Sequence, residues 1–179
     1  MAGASPSQVH PFVQLAIDAM NAYVCDFRFL APPEGLLERF PVLRRRAGVF
    51  VSLKKRGELR GCIGTIEPQR DTLAVEIVEN AISAASKDPR FRPVEEEELA
   101  ELTVSVDILG EPERVAGPGD LDVRRYGVIV KAGARRGLLL PDIEGIASVD
   151  EQLSVARKKG GIGESEPVEL YRFVVERYH

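Results

Sequence analysis

Apolar residues recur at intervals of three and four from about Val9 to Asp26, where Phe12, Val13, Ala16, Ile17, Met20 and Val24 line one side of a helix. Cys25 falls near the end of this segment and reads as a packing residue. Residues 31 to 47 lose the period; Pro32, Pro33, Gly35 and Pro41 predict an irregular connection carrying Arg44, Arg45 and Arg46. The period then becomes two. In GVFVSLK, Val49, Val51 and Leu53 alternate with Phe50 and Ser52, the pattern of a strand with one apolar face. KKRGE turns the chain at Gly57, and the return strand runs from Leu59 to Ile66.

The stretch DTLAVEIVENAISAASKD predicts a helix capped by Asp71 or Thr72, with Ala74, Ile77, Val78, Ala81, Ile82 and Ala85 as its buried stripe. Pro89 ends it by pushing the residue before it out of the helical region. An acidic helical turn follows, with Pro93 in its first turn and Glu95–Glu98 as a solvated face. LTVSVDILG is a further strand, with Val104, Val106 and Ile108 on one side and Ser105 and Asp107 on the other. PERVAGPGDLDVRRYG reads as a long connection. GVIVKAGARRGLLLP reads as a hairpin that turns on Gly133 and Gly137. Ser148 and Glu151 form a capping box for a helix through Lys159, which Gly160 and Gly161 stop. VELYRFVVE is a final strand. Hairpins with helices placed irregularly between them predict an α+β fold with a mostly antiparallel sheet, not a doubly wound one.

Composition narrows the function classes. A chain of 179 residues, 44% hydrophobic and 29% charged, has the make-up of one ordinary globular domain. A net charge of −4 argues against a general nucleic-acid coat. The basic runs Arg44–Arg46, Lys54–Arg56, Arg135–Arg136 and Arg157–Lys159 would hold an RNA backbone only if they converged in space. The first residues lack a basic flank followed by an apolar core, and no apolar run is long enough to span a bilayer, which predicts a cytoplasmic protein with no membrane partner. Cys25 and Cys62 form no disulfide framework, in keeping with a reducing compartment. His10 and His179 lie near opposite chain ends, so a Cys–His dyad, a Ser–His–Asp triad or a histidine-rich metal site would need a terminus to supply its imidazole. No metal ligands are assigned, neither GxGxxG nor GxxxxGK(S/T) is present, and the sequence names no cofactor.

The candidate chemistry lies in the return strand, GELRGCIGTIEP. Strict alternation puts Arg60, Cys62 and Gly64 on one face and Gly61, Ile63 and Thr65 on the other. A guanidinium near a thiol favours the thiolate, and Gly64 would leave room for a ligand or another backbone. Cys62 is then a candidate nucleophile, with Arg60, Gly61, Gly64 and Thr65 contacting a small anionic ligand. The competing reading is a small buried cysteine, glycines that pack against a helix, and Arg60 paired with a carboxylate. A phosphatase-type loop is ruled out, because the arginine it needs would fall at Pro68. KDPRF adds Asp88, as an orienting or proton-handling group, and Arg90 as an anion ligand; the alternative is a plain helix stop.

LRGCIGT (Leu59–Thr65) joined to AASKDPRFRPV (Ala84–Val94) is similar to the signature of the AMME-syndrome candidate-gene protein family, whose prokaryotic members are called protein A of the AmmeMemoRadiSam system. GVFVSL, VSVDILGEPE, GVIVKAGARRGLLLP and ARKKGG follow the family order, so the resemblance covers roughly Val9 to Glu176. It implies a single domain of this type over 1–179, with a larger subdomain carrying both termini, a smaller one inserted, and a cleft near LRGCIGT. It implies no reaction. It does imply Memo-like and radical-SAM proteins as partners, which makes a non-catalytic scaffold the rival to ligand binding. Ala156 and Lys159 stand where relatives often have Cys and Ala, and the chain has no Trp, so no second thiol or indole carries over.

Overall fold

The computed structural model describes residues 9–179. Helix α1 (Pro11–Asp26) starts at His10, whose Nδ1 accepts the Phe12 N–H, and buries Phe12, Val13, Leu15, Ala16, Ala19 and Met20. The connection expected to be irregular contains a short helix, α2 (Glu34–Arg39), and a 3-10 turn at Pro41–Arg44. Strands β1 (Val49–Lys55) and β2 (Glu58–Thr65) form the expected hairpin, turned by Arg56 and Gly57 at positive φ. Helix α3 (Leu73–Ser86) is capped by Thr72, which accepts the Val75 N–H. A 3-10 turn at Glu96–Glu101 then leads into β3 (Leu102–Leu109). Pro93 precedes that turn and its cap Glu95, so it is not in the first turn as expected.

The long connection after β3 contains a three-residue strand, β4 (Glu113–Val115). Gly133, at positive φ, turns the hairpin of β5 (Gly127–Ala132) and β6 (Arg135–Leu139). Gly137 is no part of that turn. It lies within β6 where an added Cβ would strike the Ala156 carbonyl of α4 (Val149–Lys159). The Ser148–Glu151 capping box of α4 is present in both directions. The final segment is two strands, β7 (Glu169–Phe173) and β8 (Val175–Tyr178), interrupted at Val174.

The strands form two four-stranded sheets, ordered β2-β1-β3-β8 and β4-β7-β5-β6, and the strand pairs recorded in register are antiparallel. The fold is α+β. The chain divides into two compact units: a larger one running to Ile108 and regaining Arg177–His179, and a smaller one, Leu109–Glu176, inserted between them. In the larger unit the apolar faces of α1 and α3 meet Val49, Val51, Leu53, Val104, Val106 and Ile108, all buried. Each such side chain contributes roughly 1.5–3 kcal/mol by leaving water. In the smaller unit Val128, Val130, Leu139, Ala156 and Ile162 form a separate core.

Candidate functional site

Strand β2 is an edge strand of the first sheet, and its sequence contains most of the predicted site. Its pairing with β1 runs Phe50↔Gly64, Ser52↔Cys62 and Leu53↔Gly61, then skips to Lys54↔Leu59. Arg60 is therefore the extra residue of a β-bulge, and strict alternation does not carry from Cys62 to Arg60. Instead of flanking the thiol, the Arg60 guanidinium is bound to Glu98: Nε donates to Oε1 at 3.0 Å and Nη2 to Oε2 at 2.7 Å. Nη1 and Nη2 also donate to the carbonyls of Arg92 and Pro93. The Arg60 and Glu98 side chains are only 16% and 18% exposed, and Lys55 adds a third contact at 3.1 Å. Arg60 first, with help from the Glu95 N–H and Lys55, draws the Glu98 carboxyl down to about 2 against the opposing effect of burial. Glu98 is thus no part of a solvated acidic face; the 3-10 geometry of its turn points it inward, while Glu95, Glu96 and Glu97 stay exposed.

The glycines have structural explanations. An added Cβ at Gly61 would strike the Ala84 carbonyl, so α3 rests directly on the strand there. The space beside Gly64 is filled by the ring of Phe50, its partner across the hairpin. Thr65 donates from Oγ1 to Glu76 Oε1 at 2.6 Å, and Glu76 Oε2 accepts the N–H groups of Gln69 and Arg70 at 2.9 and 2.8 Å. Glu76 is 2% exposed, so these donors replace the water its carboxylate has lost.

Asp88 and Arg90 do meet Cys62, through its backbone. Asp88 Oδ2 accepts the Cys62 N–H at 2.8 Å, and Arg90 Nη2 donates to the Cys62 carbonyl at 3.3 Å. The two side chains are joined to each other as well, Arg90 Nε donating to Asp88 Oδ1 at 2.9 Å and Nη2 to Oδ2 at 2.7 Å. Together they occupy the edge of β2 as one residue of a neighbouring strand would, satisfying one donor and one acceptor. Arg90, against the opposing effect of burial, holds the Asp88 carboxyl far below the usual carboxylate range, and the Cys62 and Arg90 N–H groups add to this. A carboxylate held so acidic is a poor proton acceptor near neutral pH.

The Cys62 thiol is half-buried and accepts a hydrogen bond from Ser52 Oγ at 3.2 Å. The cation that reaches Cys62 is Arg90, through the Cys62 carbonyl, and 53% of its side chain is exposed. Ser52, Phe50, Glu76 and Glu98 were not picked out from sequence. Only the Glu95–Glu98 spacing, that of a reciprocal cap, signalled one of them. His10 is committed to capping α1 and stacks near Phe12 and Tyr178. Among the basic runs, Arg44 pairs with Glu34, Arg56 with Glu101 and Arg135 with Glu166, and Arg157 donates to carbonyls of its own loop. Cys25 is exposed, contrary to the packing role expected of it. Among the described residues no three His, Cys, Asp or Glu side chains cluster as metal ligands, and no helix is long and apolar enough to cross a membrane. A shallow depression bordered by Lys131, Gly133, Pro167 and Glu169 lies within the smaller unit.

A family model, AMMECR1, matches residues 13–178, a span that includes both the β2 motif and DPRF. The chain belongs to the AMMECR1 family. A Thermotoga maritima protein is 52% identical over 171 residues, covering 94% of this chain and 97% of that one. A Clostridium acetobutylicum protein is 45% identical over 94% of this chain, which spans only 36% of that longer relative. Among solved structures, the crystal structure of an uncharacterized Pyrococcus horikoshii protein superposes with a TM-score of 0.84 at 33% identity, covering 93% of this chain and 88% of that one. That protein therefore shares the fold described above.

Proposed function

We propose that this AMMECR1-family chain binds a small anionic ligand beside Cys62, on the face of the first sheet opposite α3, with the thiol as its reactive group. The observation that carries the reading is the placement of Cys62: its Sγ accepts from Ser52 at 3.2 Å, and a half-exposed Arg90 guanidinium sits on its carbonyl. Arg90, although Asp88 offsets its charge, presents the half-exposed guanidinium that meets the anion. Arg60, neutralised by Glu98, positions the strand. Gly61, Gly64 and Thr65 shape it.

Paired alkylation tests this. Iodoacetate is anionic and iodoacetamide neutral, so a guanidinium beside a thiol raises the ratio of their rates, whereas nearby carboxylates lower it. Cys25, near Asp26 and Glu96, is the internal reference. Cys62, read by peptide mass mapping of the native protein, is expected to show the higher iodoacetate-to-iodoacetamide ratio, and Arg90→Ala to reduce that ratio several-fold. A Cys62 that stays unmodified while Cys25 reacts, or equal ratios at the two thiols, overturns the reading.

A further inference from the structure

His10 ties two elements of the larger unit together through its ring and its backbone. Its Nδ1 accepts the Phe12 N–H at 3.3 Å and so caps α1. Pro11 has no N–H, which makes that of Phe12 the first donor of the helix. The imidazole lies against Tyr178 of β8, with centroids 4.3 Å apart and planes tilted by 31°, and meets Phe12 edge-on at 4.6 Å. Its backbone N–H donates to the His179 carbonyl at 3.3 Å. The chain re-enters the larger unit over Arg177–His179 alone, and two of those three residues rest on His10.

The cap needs a neutral ring. Nδ1 accepts a hydrogen bond only while it carries no proton, which leaves the ring hydrogen on Nε2. A second proton would set an N–H against the Phe12 N–H and a positive charge at the positive end of the α1 dipole. The charged groups around the ring do little to offset it. The first turn of α1 has no acidic residue, and Asp18, two turns along, accepts from Gln14. From α2, Glu38 is exposed, while the Arg39 guanidinium lies 5.3 Å over Phe40, a ring that itself neighbours His10 at 6.3 Å. From β8, Arg177 is bound to Asp107, and Glu176 has an interaction of its own. The Tyr178 ring attracts a cation, yet burial outweighs it and pushes the imidazole below its ordinary 6.5. We propose that His10 is an acid-sensitive latch, whose protonation frees the first turn of α1 from the end of β8.

Proton NMR of the full chain tests the proposal. The His10 ring is assigned by its nuclear Overhauser contacts to Phe12 and Tyr178, and it is expected to titrate below 6.5. Because the folded value is the lower one, the stability that the neutral ring contributes is complete above 6.5 and is lost as pH falls from there through the folded value. Hydrogen exchange reads the release. The amides of Phe12 and Tyr178 are compared with that of Val75, which Thr72 caps with a hydroxyl that does not titrate. Relative to Val75, protection of both is expected to fall several-fold between about pH 7.5 and about pH 5. This comparison lies within the wild-type chain and needs no variant. In His10→Asn, which keeps a capping acceptor and cannot titrate, the ratio should stay level across the same range. A His10 that titrates at or above 6.5, a constant ratio in wild type, or the same fall in His10→Asn overturns the proposal. A fall at Phe12 without one at Tyr178 also overturns it, because the ring is then a cap and not a latch. None of these readouts involves Cys62, so the two proposals fail independently.

Discussion

Glu98→Gln isolates the charge that neutralises Arg60. The substitution keeps the side chain's shape and removes the carboxylate that binds Arg60 in two places and Lys55 in a third. The Glu98 carboxyl titrates at about 2 in the folded chain against an ordinary 4.5. At about 1.4 kcal/mol per pKa unit the difference has a ceiling of roughly 3 kcal/mol. Residual solvent contact and the amide's ability to keep one acceptor reduce the expected loss to about 2 kcal/mol at neutral pH. Because the folded-state pKa is depressed, this stabilisation is complete above the unfolded value and is lost as pH falls from about 4.5 through about 2. Urea unfolding followed by circular dichroism at 222 nm reports chiefly α1 and α3, the two longest helices, both in the larger unit. Wild type and Glu98→Gln should differ by about 2 kcal/mol at pH 7 and by less than half of that at pH 3. A gap that is the same at both pH values, or below about 0.5 kcal/mol at pH 7, refutes the assignment of Glu98 as the counter-charge. A double-mutant cycle with Arg60→Met should return a coupling of at least about 1 kcal/mol.

Gly61→Ala sets a methyl group against the Ala84 carbonyl and forces α3 away from the strand, with an expected destabilisation of about 1–3 kcal/mol in the same unfolding assay. Asp88→Ala removes the acceptor of the Cys62 N–H and the partner of Arg90, with an expected loss of about 2–4 kcal/mol. It should also accelerate hydrogen exchange at the Cys62 amide, and an unchanged exchange rate would show that Asp88 does not hold the edge.

What could be read from sequence was what repeats along the chain. The stripes of α1 and α3, the capping box of α4 and the β1–β2 hairpin each show a local period or a local cap, and each was found where expected. What was hidden depends on partners distant in sequence. The bulge at Arg60 comes from pairing with β1 and breaks the alternation that had placed Arg60 beside the thiol. The gap read at Gly64 is filled from Phe50, fourteen positions earlier and visible only through the register. The apolar run after Pro167 is one strand by pattern, yet its halves join different sheets. Glu98 reads by pattern as one of a run of solvated carboxylates on a short helical turn. The tighter turn that forms there rotates it onto Arg60.

These contacts explain why LRGCIGT and DPRF occur together in one chain. Helix α3 connects them, and four of the seven residues of the first motif are tied to α3 or to the stretch that follows it. Gly61 meets the Ala84 carbonyl, Thr65 meets Glu76, Cys62 meets Asp88 and Arg90, and Arg60 meets Arg92, Pro93 and Glu98. Replacing Asp88 or Arg90 therefore leaves a backbone group of Cys62 without its partner, a cost paid in stability whether or not any chemistry occurs. The same arrangement constrains the chemistry. The backbone of Cys62 is held by Ser52's strand on one side and by Asp88 and Arg90 on the other, so the thiol sits on a rigid element, as a preorganised site requires. Both backbone groups on its outer edge are occupied, so the ligand proposed for Sγ would have to approach from the sheet face that Ser52 shares. Motif residues that hold the strand should therefore shift stability when replaced, whereas Arg90, half in solvent, should shift the thiol's reactivity toward anions as well.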